Sequence, residues 1–364
     1  MKPLISIKPN KKVLVRLDIN SPLKNKKILD NEKFNEIIPT INYLLKKNSK
    51  IVLIAHQGRK GSKDYTSLQQ HQKILQKHLK RKIQFLKFNK SLDNKLKNLK
   101  SKEILLLENV RSLTPESKLY KLAKYFDYFV FEAFAVSHHP APSVTGLQEK
   151  LPTLAGLNYQ REINHLKKLK TPKYPYVVIL GGAKPLDLLP LLKSKKIDIF
   201  LVSGVLGELF TVLHGHHLGE KEKILKKQGH LKLLSKLRRY KKSKKIILPL
   251  DFAIDIKGKR QDISIEELPS KYLVKDIGSK TIRLFKSYIK RANTIYYKGP
   301  QGFYEERTFQ RGTKELLLEI SKSKAFTIAG GGHSYTAITK FIKPSKINYL
   351  STAGGALLHY ILKK

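Results

Sequence analysis

Two hydrophobic patterns alternate along this chain. The first is a short, mostly apolar run, found at 13–17 (VLVRL), 51–55, 83–88, 103–107 and 128–132. Runs of that length, rich in Val, Ile and Leu, predict strands buried on both faces of a parallel sheet. The second is an amphipathic stretch with apolar positions three or four residues apart, found at 33–46 and 68–80. That spacing predicts helices. Strands alternating with helices predict an α/β domain with a parallel sheet.

The alternation restarts further on. A longer stretch, 154–169, carries its charge on one side and reads as a single helix that ends before Thr171-Pro172, since proline breaks helices. A second strand series is predicted at 176–180, 198–203, 245–249, 294–297, 325–329 and 347–351. Two domains follow, residues 1–153 and 172–350, with a connecting helix at 154–171 and a terminal segment at 351–364.

Polar residues gather where the strands end. In the first half these are Asp18 and Asn20, His56 and Arg59, and the pair His138-His139. Open α/β sheets bind ligands at strand carboxyl ends. Four strands of the second half run into glycine-rich turns: Gly181-Gly182-Ala183-Lys184, Lys298-Gly299-Pro300-Gln301-Gly302, Gly330-Gly331-Gly332-His333-Ser334, and Ser351-Thr352-Ala353-Gly354-Gly355. Each offers backbone N–H groups near a helix start, and together they would cradle a polyphosphate. Neither GxxxxGK[ST] nor GxGxxG occurs, so the site is of another design. Each residue also has a plainer reading. Asp18 and Asn20 suit a turn, His56 suits a strand end, Gly299-Pro300 suits a tight turn, and Lys184 suits a surface position.

Composition narrows the field. At 364 residues and 41% hydrophobic, the chain can fill two cores. It has no cysteine, which excludes disulfides, thiolate metal sites and a cysteine nucleophile. The N-terminus lacks the apolar core of a signal peptide. The longest apolar stretch, 197–213, is broken by Asp198 and Glu208. The expectation is a soluble cytoplasmic protein with no membrane partner. The net charge of +45, from 73 basic and 28 acidic residues, raises nucleic-acid binding as a third possibility. Only 12 of those cations are arginine, the residue that base readout favours, and the lysines are spread over nearly every element. No specific nucleic-acid partner is expected.

The ordered set of motifs resembles the phosphoglycerate kinase family along essentially the whole chain. It runs Arg16-Leu17-Asp18-Ile19-Asn20-Ser21-Pro22, Pro39-Thr40-Ile41, His56-Gln57-Gly58-Arg59, Leu106-Leu107-Glu108-Asn109-Val110-Arg111, Glu132-Ala133-Phe134 and Ser137-His138. It continues with Ile179-Leu180-Gly181-Gly182-Ala183-Lys184, Leu248-Pro249-Leu250-Asp251, Asp276-Ile277-Gly278-Ser279-Lys280-Thr281, Gly299-Pro300-Gln301-Gly302, Gly330-Gly331-Gly332 and Ser351-Thr352. The resemblance implies two Rossmann-like parallel-sheet domains joined by a helix hinge, in a monomer whose end segment returns to the first domain. It implies glycolytic phosphoryl transfer between 1,3-bisphosphoglycerate and ADP, giving 3-phosphoglycerate and ATP, with Mg²⁺ carried on the nucleotide.

Position by position, the resemblance gives Asp18 and Asn20 the glycerate hydroxyl and carboxyl region, and His56 and Arg59 the phosphate side. Lys33 and His139 stand at substrate-binding arginine positions. Arg111 belongs to the substrate-binding set and is expected to serve structure first, as an ion-pair partner near Glu108. Lys184, with Arg59 the catalytic pair, stabilises charge on the moving phosphoryl group, and Asp187 matches the aspartate after it. Glu305 matches a ribose-binding glutamate. Gly182, Gly204, Gly299, Pro300, Gly331 and Gly332 form the nucleotide's bed, with Lys298, His333 and Ser334 beside it.

Several positions depart from the family's pattern. His139 replaces an arginine, and free histidine titrates near pH ~6.5. Leu188 replaces a lysine that touches nucleotide phosphates, and His333 replaces an aspartate that helps to position the metal–nucleotide. Lys298 stands where asparagine is usual and brings a cation able to stand in for the missing lysine. Ser203 and Val205 interrupt a glycine run, and Pro185 follows Lys184 directly. Losing one preorganised donor costs about 3 kcal/mol. An active divergent kinase is therefore weighed against a catalytically impaired relative that binds nucleotide or acts as a scaffold.

Overall fold

In unit 1 the apolar runs become strands because their alternate residues have a core to enter on each face. Val13, Val15, Ile51 and Leu53 pack into one core, while Leu14, Val52, Phe129 and Phe131 pack into the other. The computed structural model describes residues 1–30, 32–169, 171–351 and 354–362. Thr352, Lys170 and the last two lysines, which belong to stretches discussed above, lie outside the described residues. The chain divides into two compact units, Met1–His165 and Leu166–Lys364.

Unit 1 holds a seven-stranded, all-parallel sheet. Its strands are β1 (Lys2–Pro3), β2 (Lys12–Leu17), β3 (Lys50–Ile54), β4 (Gln84–Leu86), β5 (Ile104–Leu107), β6 (Tyr128–Glu132) and β7 (Thr153–Ala155). Their order is β1-β7-β6-β2-β3-β5-β4. Helices α1 (Glu32–Lys46) and α2 (Gln69–Leu79) match the amphipathic stretches. The chain leaves β2 toward β3 on one side and later returns to its other side as β6. That reversal places the switch point, where open sheets bind ligands, beside Asp18.

The expected helix at 154–169 is shorter, α3 (Leu157–Lys167). Its first residues pair with β6 instead, Leu154 opposite Val130. The helix start is fixed from a distance. Glu132 accepts hydrogen bonds from the Asn158 and Tyr159 N–H groups at 2.9 and 3.1 Å. Thr40 Oγ1 donates to Glu132 at 2.7 Å and accepts from the Leu157 N–H at 2.8 Å. Gly156 makes room for this, since a Cβ there would fall 1.8 Å from Glu132 Oε2.

Unit 2 repeats the design with six parallel strands. These are β8 (Tyr176–Leu180), β9 (Ile199–Val202), β10 (Ile246–Ile247), β14 (Thr294–Lys298), β15 (Phe326–Gly330) and β16 (Tyr349–Ser351), in the order β10-β9-β8-β14-β15-β16. Between β10 and β14 lies a small antiparallel sheet that the sequence reading missed: β11 (Asp251–Ile256), β12 (Lys259–Ser264) and β13 (Leu273–Ile277). Its signal was present. DFAIDI sets large apolar residues, Phe252, Ile254 and Ile256, at every second position, and Lys257-Gly258 has both φ angles positive (52° and 81°), as a two-residue hairpin turn requires. The helices of unit 2 used below are α4 (Gly204–Leu213), α5 (Ser279–Arg291), α6 (Arg311–Lys322), α7 (Gly332–Phe341) and α8 (Gly354–Leu362).

Candidate active site

At the carboxyl end of β2 a charged residue interrupts the apolar run. Arg16 is 2% exposed, and its guanidinium donates to the Leu17 carbonyl and, at 2.9 Å, to His56 Nδ1. Burial pulls the Arg16 guanidinium down to about 10, so it stays charged at neutral pH. Burial and the Arg16 charge push His56 down to about 3. The imidazole is therefore neutral, with Nδ1 occupied as acceptor and the ring proton on Nε2. His56 is a hydrogen-bond donor here rather than a cation.

Asp18 sits in the turn after β2, 9% exposed, and accepts from Lys33 Nζ at 2.8 Å. Burial alone would raise its carboxyl, but the Lys33 ammonium, with Arg16 behind it, holds it below the usual carboxylate range. Asn20 Oδ1 accepts from the Gly58 N–H at 2.9 Å, tying the turn after β2 to the turn after β3. Gly58 has φ 62°, and a Cβ on it would meet the Asp64 backbone at 2.4 Å. Only glycine lets the chain turn there and present Arg59 to solvent. Arg111 Nη1 donates to the Gly58 carbonyl.

The expected pairing of Arg111 with Glu108 does not form. Glu108 is committed to the head of α2, accepting from Ser67 Oγ at 2.7 Å and the Leu68 N–H at 3.0 Å, and from the Asn109 N–H at 2.7 Å. The structure thus brings Asp18, Asn20, Lys33, His56, Arg59 and Arg111 to one edge. His139 is not joined to them: it is exposed, and its ring lies 3.8 Å from that of His138. Sequence reasoning assigned no role to Arg16, Gln57 or Asn109. Buried Gln57 binds Ser21 on both sides, and Asn109 Nδ2 holds the Gln57 carbonyl at 2.8 Å. The signal for Arg16 was a cation inside VLVRL, since a buried charge needs a purpose or a partner.

In unit 2 the glycine turns interlock at the switch point between β8 and β14. The Gly181 N–H donates to the Lys298 carbonyl at 2.8 Å, and the Gly182 N–H to the Pro300 carbonyl at 2.7 Å. A Cβ on Gly299 (φ 87°) would fall 2.4 Å from the Gly181 oxygen, and one on Gly204 (φ 52°) 2.7 Å from the Gly182 nitrogen. These close approaches require glycine. The Gly299 N–H donates to Ser334 Oγ at 2.8 Å, and the Gly331 N–H to the Ser351 carbonyl at 3.2 Å. The starts of α4 and α7 therefore share one edge, where their dipoles favour an anion.

Lys184 and Asp187 stand exposed on the turn after β8. Burial, with the neighbouring Lys184 charge, pulls the Lys298 ammonium below its ordinary value, while Asp187 pulls the other way. Leu188 is 2% exposed and sits in the core, whereas Glu305 and His333 are exposed. Among the described residues no three carboxylates or imidazoles gather to hold a metal ion. Asp187, one exposed carboxylate with lysine charge near it, is too few hard oxygen ligands for a protein-held divalent cation.

A cation cluster around one carboxylate and a glycine cradle beside lysine suit a small phosphorylated acid and a polyphosphate. Comparison with known proteins agrees. The family model for phosphoglycerate kinase matches residues 6–364. The chain belongs to the phosphoglycerate kinase family. It is 36% identical to the phosphoglycerate kinase of Pyrococcus abyssi, over 96% of this chain and 92% of that one. It is also 36% identical to that of Saccharolobus solfataricus, over 97% and 91%. The crystal structure of phosphoglycerate kinase from Pyrococcus horikoshii OT3 superposes with a TM-score of 0.89, at 32% identity over 100% of this chain and 96% of that one. Phosphoglycerate kinase from Coxiella burnetii gives 0.81 at 27% identity, over 100% and 96%. A member of the phosphoglycerate kinase family is a glycolytic phosphotransferase whose acceptor is a carboxyl group. Among the described residues no helix is long and apolar enough to cross a membrane.

Proposed function

We infer that this chain catalyses reversible phosphoryl transfer between 1,3-bisphosphoglycerate and ADP, giving 3-phosphoglycerate and ATP. The observation that carries the reading is a pair of ligand edges of opposite make, each at a switch point. One is Asp18 among Arg16, Lys33 and Arg111, with neutral His56. The other is the interlocked glycine turn carrying Lys184. The first suits the acid: Asp18 and Asn20 take its hydroxyl and carboxyl region, and His56 Nε2–H and Arg59 take its phosphate. The second suits the nucleotide: Gly182, Gly204, Gly299, Pro300, Gly331 and Gly332 bed the phosphates, Ser334 holds the Gly299 turn, and Glu305 reaches the ribose.

In the ATP-forming direction the bond from the acyl oxygen to phosphorus breaks and a bond from the ADP terminal oxygen forms. The carboxylate leaves with the electron pair. Such transfer needs positioning and charge stabilisation more than covalent chemistry. Lys184 is the group we assign to the moving phosphoryl charge. Domain closure about α3 is the step we assign to bringing the two substrates together. Mg²⁺ enters as part of the nucleotide, held by phosphate oxygens and water. The protein works as a cytoplasmic monomer.

A coupled assay of ATP formation from 1,3-bisphosphoglycerate and ADP tests this. Lys184→Ala should lose about 10²–10³ in turnover. Burial of Leu188, which leaves no cation at that position, favours a second reading in which the chain binds nucleotide without turning over. Turnover no higher than that of Lys184→Ala would establish it instead.

A further inference from the structure

Gln57 stands between two residues of the acid site, His56 and Gly58, but its own side chain turns inward and is fully buried. Its Oε1 accepts from the Ser21 N–H at 2.9 Å, and its Nε2 donates to the carbonyls of Ser21 and Asp64 at 2.9 and 3.0 Å. One amide thus clamps the turn after β2, one residue beyond Asn20, to the turn after β3. It spans that second turn from Gln57 to Asp64, with Arg59 inside. The bond from the Gly58 N–H to Asn20 Oδ1 closes the same join.

The group that completes this clamp comes from α2. His71 is also fully buried, with Nε2 3.0 Å from Gln57 Oε1. The amide cannot be turned over, because an N–H faces one end of it and two carbonyls face the other. Gln57 therefore offers His71 an oxygen, which only accepts, so the ring must donate from Nε2. Burial pushes His71 down to about 4, so the ring holds one proton at neutral pH, and that proton sits on Nε2. The helix that supplies it is itself anchored. Glu108 accepts from the Leu68 N–H, and Gln70 holds the Lys26 carbonyl and the Ile28 N–H, both at 3.0 Å.

We propose that His71 is a positioning residue of the acid site: by donating its Nε2 proton to Gln57 it fixes the amide that holds Asn20 and Arg59 in register for the phosphorylated acid. This rests on the acid reading above. An amide with only the Ser21 N–H on its oxygen is free to tilt away from its carbonyls, and the two turns then shift against each other. The buried ring does not touch substrate, so losing its donor acts on affinity for the acid and leaves the glycine cradle of unit 2 as it was.

Calorimetric titration of the full chain with 3-phosphoglycerate and, separately, with ADP tests the proposal, with urea unfolding alongside. His71→Gln can place an amide N–H where Nε2 stands, whereas His71→Asn reaches only as far as Nδ1. His71→Asn should weaken 3-phosphoglycerate by about 5- to 10-fold, the value of one net hydrogen bond, and change ADP less than about twofold. His71→Gln should stay within about twofold of wild type for both ligands. Should His71→Asn not fold, His71→Leu, which removes the donor at similar volume, should show the same selective loss. So should Gln57→Met, and joining it to the His71 variant should add little, because both act through one amide. Equal acid affinities for His71→Gln and the variant lacking the donor, or an equal loss for acid and ADP, overturn the proposal while leaving the acid reading intact. In a merely structural role the variants differ only in their urea midpoints. A wild-type chain that binds ADP but not 3-phosphoglycerate overturns both.

Discussion

Replacing Glu132 by glutamine perturbs the one carboxyl that starts α3, and its effect on stability should depend on pH in a defined way. Glu132 is 2% exposed. Burial lifts it from 4.5 to about 7, against the opposing hydrogen bonds from Thr40, Tyr159 and Asn158. The folded form thus holds its proton more tightly than the unfolded chain. This stabilisation is whole below pH 4.5 and is lost as pH rises through 7. At 1.36 kcal/mol per pH unit, the gap from 4.5 to 7 is worth about 3 kcal/mol. Glutamine keeps the shape but does not titrate. Its amide also turns a donor toward one of the helix N–H groups, which costs about 1–3 kcal/mol at every pH. Urea unfolding of the full chain, followed by far-UV circular dichroism from pH 4.5 to 8, reads both effects in the unit 1 transition. Wild type should be the more stable by about 1–3 kcal/mol at pH 4.5 and should lose about 3 kcal/mol relative to Glu132→Gln by pH 8, which levels or reverses the order. Curves that stay parallel within about 1 kcal/mol would refute the claim that burial dominates this carboxyl.

Three further outcomes are expected. Asp276, whose side chain is fully buried, accepts from Arg260 Nη1 and the Gly312 N–H, both at 2.7 Å. Asp276→Ala leaves the buried Gly312 N–H and one Arg260 N–H without an acceptor, while Asp262 still holds that guanidinium at 2.9 Å, and should cost about 2–4 kcal/mol, seen as an earlier unit 2 transition in urea; an unshifted midpoint would contradict the pairing. Gly58→Ala should weaken 3-phosphoglycerate binding at least ~10-fold with little change in secondary structure, because a Cβ collides with the Asp64 backbone and moves Arg59; unaltered affinity by calorimetry would remove Arg59 from the acid site. Thr40→Val leaves the Leu157 N–H without its acceptor and removes one of the three donors to Glu132, so it should destabilise unit 1 by about 1–3 kcal/mol; a urea midpoint equal to wild type would show that α3 is started by Glu132 alone.

Much of this protein was legible in its residues taken in order. Consecutive Val, Ile and Leu announce strands covered on both faces, as Tyr176–Leu180 shows. Gly181, Gly182, Gly299 and Gly331 mark where the backbone must turn or come close to another segment, and the order of such marks discloses the family. These signals are local, set by side-chain period and backbone freedom. Tertiary structure decided which groups meet. Thr153–Ala155 became a strand because β6 offered an edge, and α3 began where Glu132 and Thr40 could satisfy its N–H groups. Arg111 turned to the Gly58 carbonyl because Glu108 was already committed at α2, and burial, with Arg16 from forty residues away, silenced the charge of His56. Hydrogen-bond partners and burial depend on distance in space. The chain's order fixes what each residue can offer, but folding alone fixes what is near enough to accept it.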